Sequence, residues 1–233
     1  YCPGTSVWQL TPDLQLGTVD AHGARMVPAR HVLLATGALE RPVPFPGWTL
    51  AGVMTAGAAQ GLLKSSGMLP DVPVVFYGSG PLLYQVAWQL AEAGVPVSAI
   101  LDTGIRANYA AAAPHLPAAL AAGDYLAKGL RLLNGIRHHR IPIIRGVGDF
   151  HALGEGRVAE VSYRQGGSTH HRDAGLVLVH EGVVANCQLT QSVPCRHEWH
   201  APQRSWRPVA DEWGNTDVAG IQIAGDCGGI GGA

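Results

Sequence analysis

Charge is scarce in this chain. Lys and Arg total 16, Asp and Glu 17, and charged residues make up only 14% of 233. At a formal charge of −1 there is no basic face to displace counterions from phosphates, which excludes a nucleic-acid partner. Cysteine is sparse too, with four residues at positions 2, 187, 195 and 227. None are spaced C-x-x-C and they form no disulfide framework, so a reducing, cytoplasmic setting is expected. Long apolar runs are also missing. Val74 to Leu101 carries a single charge, Glu92, but Gly78-Ser79-Gly80-Pro81 interrupts it. No uninterrupted apolar helix of about 20 residues exists there, and no membrane span is expected. The chain starts at Tyr1-Cys2-Pro3 without Met and stops within Gly231-Gly232-Ala233, the marks of a piece of a longer protein.

What is present is a large apolar fraction, 47%, together with 31 glycines and 16 prolines. That composition supports a packed core joined by many tight turns and excludes disorder as the main state. Residues 7–34 alternate apolar and polar positions between Gly17, Gly23 and Pro28, which predicts a small antiparallel meander. His31 to Ala35 is nearly all apolar, as in a strand buried on both faces, and ends at Thr36-Gly37. A proline-rich connector, Arg41 to Trp48, and a helix-compatible segment, 55–67, follow.

From about residue 70 the pattern is strand, turn, helix, strand. Val72 to Tyr77 is β-rich, Gly78-Ser79-Gly80 is a turn, and Pro81 to Ala93 has helical periodicity. Pro81 suits the first helical position and Gly94 the stop. Val95 to Leu101 is a second strand ending in Asp102, which completes a βαβ unit. A helix from Pro117 to about Arg137, a strand over Ile141 to Arg145, short strands over 149–180 and a last strand over Gly220 to Ala224 complete the chain.

Gly78-x-Gly80 lies where a phosphate-binding turn belongs. The first glycine permits the tight turn and the second lets backbone approach a pyrophosphate. The helix start, from Pro81 and Leu82, then offers free N–H groups and a positive dipole end. Leu83 stands where the fingerprint has its third glycine, a departure that would push helix and strand apart. Asp102 follows Gly78 by 24 residues, close to the spacing of an acid that binds ribose, and it would repel a 2′-phosphate. NAD or another adenosine nucleotide is therefore favoured over NADP, the alternative being a βαβ turn that binds nothing. Two further strand ends, Ala35-Thr36-Gly37 and Gly225-Asp226, flank this unit in sequence.

The order Ala35-Thr36-Gly37, a Pro-Gly connector, Gly78-x-Gly80, an apolar strand before Gly182 and then Gly225-Asp226 resembles the flavoproteins with two dinucleotide-binding domains. Ala35 to Ala59, Leu62 to Gly67, His180 to Leu189 and Gly225 to Ala233 narrow the resemblance to the A (alpha) subunits of opine oxidases, hydrogen cyanide synthase and hydroxyproline or proline dehydrogenases. The resemblance covers essentially the whole chain. It implies an α/β fold in which a Rossmann-like NAD-type domain, a parallel sheet with a β-meander, is inserted in an incomplete FAD-binding domain of the disulfide-reductase type. The implied boundaries are 1–69 and 182–233 for the FAD domain and 70–181 for the inserted one.

By the same resemblance, Thr36, Gly37, Gly225 and Asp226 line FAD. Gly78, Ser79, Gly80, Pro81, Leu82 and Asp102 hold NAD or ATP, and Gly182 belongs to the cofactor-binding set. The family's first G-x-G-x-x-G has no counterpart here, so weak or absent FAD binding is expected. The implied role is electron handling, in a hetero-oligomer whose catalytic partner oxidises an opine, glycine or an imino acid. The alternative is a chain that holds NAD or ATP for structural reasons only.

Other candidates read as structural. Cys187, Cys195 and Cys227 suit buried, inert thiols. The spacing of Cys187, Cys195, His197 and His200 matches no zinc motif, so no metal is expected. His138-His139 and His170-His171 suit solvated positions, the first at a helix end. No catalytic acid–base residue stands out, as expected where the cofactor performs the hydride transfer.

Overall fold

A computed structural model describes residues 1–105, 114 and 123–231. The chain divides into two units, Tyr1–Leu39 with Val183–Ala233, and Glu40–Gly182.

In the first unit, β1 (Ser6–Leu10), β2 (Gln15–Asp20) and β3 (Gly23–Pro28) form the expected antiparallel meander. β4 (Val32–Leu34) pairs in parallel with a strand from near the chain's other end, Ile221–Ile223 (β17). Val32 and Leu34 are buried, but Leu33 between them is 63% exposed. The reading of this strand as covered on both faces is corrected: alternate residues face opposite sides, and nothing among the described residues shields the Leu33 side. β5 (Ala38–Glu40) and β14 (Val183–Ala185) pair where the chain leaves and re-enters this unit. A hairpin of β15 (His197–His200) and β16 (Ser205–Pro208), a helical turn at Gln188–Gln191 and a 3-10 turn at Gly225–Gly228 complete it.

The second unit is built on a five-stranded parallel sheet. Its members are β6 (Val53–Thr55), β7 (Val74–Gly78), β8 (Val97–Asp102), β9 (Ile143–Arg145) and β13 (Leu176–His180), in the order β6-β13-β7-β8-β9. Residues 40–69 contribute β6 and α1 (Ala56–Ser66) to this unit. Thr55 caps α1 through the Ala58 N–H, and Gly67 ends it in the left-handed conformation. One sheet face, with Val74, Phe76, Ile100 and Leu178, packs on Leu83, Val86, Ala87 and Leu90 of α2 (Pro81–Glu92). The opposite face, with Val75, Leu101, Val177 and Val179, packs on Phe150, Val161 and Tyr163. Phe150 belongs to β10 (Gly148–Leu153), and Val161 and Tyr163 to β11 (Glu160–Gln165); with β12 (Ser168–Asp173) these form an antiparallel meander. Cover on both faces explains the near-continuous apolar runs of the central strands.

Leu83 is fully buried against the sheet. It forms part of the core between α2 and the sheet. Residues 106–122 (114 apart), and with them the helix start expected at Pro117, lie outside the described residues, as do 232 and 233; Gly123–His138 (α3) is helical. Among the described residues no helix is long and apolar enough to cross a membrane.

Candidate functional site

The carboxyl ends of four parallel strands meet in one row, because the ladder registers place His180 beside Gly78, Gly78 beside Asp102 and Asp102 beside Arg145. Open α/β sheets bind ligands at this edge. Gly78 has φ +132°, and a Cβ there would lie 1.9 Å from the His180 carbonyl oxygen, so only glycine lets β7 and β13 approach so closely. The Ser79 N–H donates to that same oxygen at 2.8 Å. Gly80, at φ +93°, precedes Pro81 at the start of α2, and no side chain caps the helix. The first-turn N–H groups are left for a ligand or water. Gly78, Ser79, Gly80, Pro81 and Leu82 thus form the junction from β7 through a tight turn into α2.

Asp102 ends β8 at this edge but is already engaged. Its Oδ1 accepts from the Gly104 N–H at 2.7 Å, and its Oδ2 accepts from the Tyr84 hydroxyl of α2. The Arg145 Nε lies 3.9 Å from Oδ2, and Asp102 is only 5% exposed. Burial, then the hydrogen bond to this carboxylate, raises the Tyr84 pKa well beyond its ordinary value, which keeps the hydroxyl a donor. A carboxylate has about four lone-pair sites, so acceptor capacity for ribose remains, within a crowded setting. Gly182, at φ +92°, follows β13, and its carbonyl accepts from the Arg41 N–H at 2.9 Å.

Three residues that sequence reasoning passes over define the floor of the turn. His180 is 5% exposed, and its Nδ1 lies 2.7 Å from Oε1 of Glu40. The other Glu40 oxygen accepts from the Gly57 N–H at 2.7 Å. Burial pushes the Glu40 pKa up, but hydrogen bonds from His180, Thr55 and Gly57 outweigh it and hold it below the ordinary value. Glu181 is half-buried, with Oε2 3.5 Å from the Ser79 hydroxyl. Burial, with the charge of Asp102 adding to it, raises its pKa despite hydrogen bonds from Ser79 and Thr103. The one signal in the sequence is a polar His-Glu pair closing a strand that is otherwise Leu-Val-Leu-Val.

A carboxyl group whose folded pKa lies above its unfolded value binds more protons in the native state. Stability is then lost as pH rises through the window from 4.5 upward. Glu181→Gln is therefore expected to raise Tm at neutral to alkaline pH by ~1–3 °C, the scale that a fraction of a kcal/mol produces in a chain of this size. The gain disappears in acid. Thermal melts across pH check this, and a lower Tm for the variant at alkaline pH would count against it.

In the first unit, the parallel pairing of β4 with β17 sets side by side the strand ends that precede Thr36-Gly37 and Gly225-Asp226. The Ala224 N–H donates to the Leu34 carbonyl at 2.9 Å, and Cys227 Sγ lies 3.1 Å from the same oxygen. Thr36 donates its hydroxyl to the Asn186 carbonyl at 3.0 Å. Gly37 and Gly225 both have positive φ and open space where a Cβ would stand, and Asp226 is exposed. A cleft of about 500 Å³ is lined by Gly225, Gly228 and Gly229 with Arg207 and Glu198. These residues fit a ligand that runs close to backbone past a carboxylate.

Cys187, Cys195 and Cys227 are buried, and burial raises the thiol pKa of the first two. Both His197 ring nitrogens are bonded, Nε2 to the Thr190 hydroxyl and Nδ1 to the Cys195 carbonyl, each at 2.9 Å. His139 and His171 pair with Glu92 and Glu160.

Known proteins resemble this chain over most of its length. The chain is 44% identical to an opine oxidase subunit from Agrobacterium tumefaciens, over 100% of this chain and 48% of that protein. It is 33% identical to hydrogen cyanide synthase subunit HcnB of Pseudomonas aeruginosa, over 86% of this chain and 44% of that one. The chain spans about half the length of the curated relatives it matches. A crystal structure of a FAD-dependent pyridine nucleotide-disulphide oxidoreductase from Desulfovibrio vulgaris superposes with a TM-score of 0.67 at 19% identity, covering 96% of this chain and 53% of that one. Residues 3–231 match one family throughout, and the chain belongs to it: the pyridine nucleotide-disulphide oxidoreductases.

Proposed function

We propose that this chain is part of a flavin-dependent oxidoreductase subunit that handles electrons while a partner subunit oxidises an amino-acid-type substrate, an opine, glycine or an imino acid. The observation that carries the reading is the uncapped Gly78–Gly80 turn at the carboxyl edge of a parallel sheet. In this reading the NAD-type domain, expected over 70–181, lies within the compact unit Glu40–Gly182. Gly78, Ser79, Gly80, Pro81 and Leu82 hold the pyrophosphate of NAD or ATP by backbone, and Gly182 borders the same edge. Asp102, steadied by Tyr84, faces the ribose. Thr36, Gly37, Gly225 and Asp226 are what the chain contributes to FAD, whose isoalloxazine would accept the electrons. The names of the relatives, which are those of subunits, support a hetero-oligomer. The buried free thiols suit a reducing cytoplasm.

One observation favours a second reading, a nucleotide held for structure without redox turnover. The carboxylate expected to bind ribose is already bonded on both oxygens. The discriminating experiment adds NADH anaerobically to the flavin-loaded protein produced with its partner. Bleaching of the flavin supports the electron-handling role. A flavin unmoved by NADH, with ATP raising Tm, supports the structural role and rejects the first.

A further inference from the structure

His180 stands out because its ring is buried and only one of its nitrogens is in use. Its backbone is part of the turn: the His180 carbonyl accepts from the Ser79 N–H at 2.8 Å. Its ring Nε2 and Cδ2 lie 4.0 and 3.9 Å from the point a Gly80 Cβ would occupy. Glu40 holds Nδ1 from the opposite side. Hydrogen bonding keeps the Glu40 pKa below its ordinary value, so Glu40 is an acceptor and Nδ1 carries the hydrogen. In the neutral ring Nε2 is then a lone pair, which a phosphate oxygen would repel; in the protonated ring it is a donor. Nε2 has no hydrogen-bond partner among the described residues.

The charged and titratable groups around the turn are Glu40 on β5, Glu181 after β13, Asp102 on β8 and Arg145 on β9, with Tyr77 on β7 and Tyr84 on α2. Arg145 is turned toward Asp102. A pyrophosphate entering beside these carboxylates needs positive charge, and the ring beneath Gly80 can acquire it.

We propose that His180 couples nucleotide binding to protonation: Nε2 takes one proton from solvent as the pyrophosphate of NAD or ATP settles on Gly78–Gly80, with Glu40 holding the ring in place. The proposal rests on the reading of the turn as a nucleotide site.

Calorimetric titrations with ADP-ribose and, separately, ATP, in buffers of different ionisation enthalpy, count the protons taken up; the tighter ligand identifies the source of the pyrophosphate. Uptake of up to one proton per ligand is expected, with affinity falling by up to about tenfold per pH unit wherever that uptake is seen. Glu181→Gln should keep the uptake, and His180→Gln should abolish it. Nitrogen NMR of histidine-labelled wild-type protein gives the same answer without the variant, through an imidazolium signal that appears on binding. Binding without proton uptake, or uptake lost in Glu181→Gln while the histidine signal stays neutral, overturns the proposal and leaves the site reading intact. If neither ligand binds at any pH, both fall.

Discussion

Gly78→Ala is expected to cost about 3–5 kcal/mol of stability, combining a strained backbone with overpacking, and to abolish nucleotide binding. The added Cβ would stand 1.9 Å from the His180 carbonyl oxygen and 2.7 Å from its carbon. Both obstacles are backbone of a paired strand, so neither can rotate away as a side chain would. Relief requires β7 and β13 to separate, which breaks the bond between the Ser79 N–H and the His180 carbonyl. Gly80→Ala is the control. Its φ of +93° is also unfavourable to alanine, but the nearest atom lies 3.9 Å away, the edge of the His180 ring. Only the backbone cost remains, about 1–3 kcal/mol. Urea unfolding of the two variants separates clash from strain. Equal losses would show that β7 and β13 do not approach as described.

Glu40→Ala is also expected to be costly, about 2–4 kcal/mol, because the His180 Nδ1–H and the Gly57 N–H both lose their acceptor. His180 would keep a polar ring at 5% exposure without its partner, and the Gly57 N–H would lose its acceptor. Removing both polar partners, as in Glu40→Leu with His180→Leu, should recover part of the loss, since an apolar pair leaves fewer groups unsatisfied. The pH dependence has a definite sign. The folded Glu40 pKa lies below the ordinary 4.5, so its contribution is complete above that value. The contribution is lost as pH falls through the folded pKa, and the gap between wild type and Glu40→Ala should narrow in acid. A double-variant cycle with no coupling, or a gap that widens in acid, would remove the pair from the account.

The features legible in the sequence are those whose causes are local. Pro81 at the start of α2, the 3.6-residue spacing of Val86, Ala87 and Leu90, and the Gly78-Ser79-Gly80 break after an apolar run together specify strand, turn and helix. The meander over β1 to β3 follows from two-residue alternation between turn glycines. At Leu83 the sequence shows only a departure from the glycine fingerprint, because what fills that position is a matter of packing. In this chain the side chain fills the space between α2 and the sheet.

Composition and pattern therefore determined that this is an α/β chain with a strand–turn–helix unit at Gly78–Gly80, because periodicity and turn chemistry act within a few residues. The tertiary structure alone decided which groups meet at that turn. Glu40 and His180 are 140 positions apart and Tyr84 is 18 from Asp102; β4 finds β17 from the far end of the chain. No local propensity encodes such meetings. They arise when parallel strands are set in register and their carboxyl ends share one edge, which leaves buried polar groups to satisfy one another or to wait for a ligand.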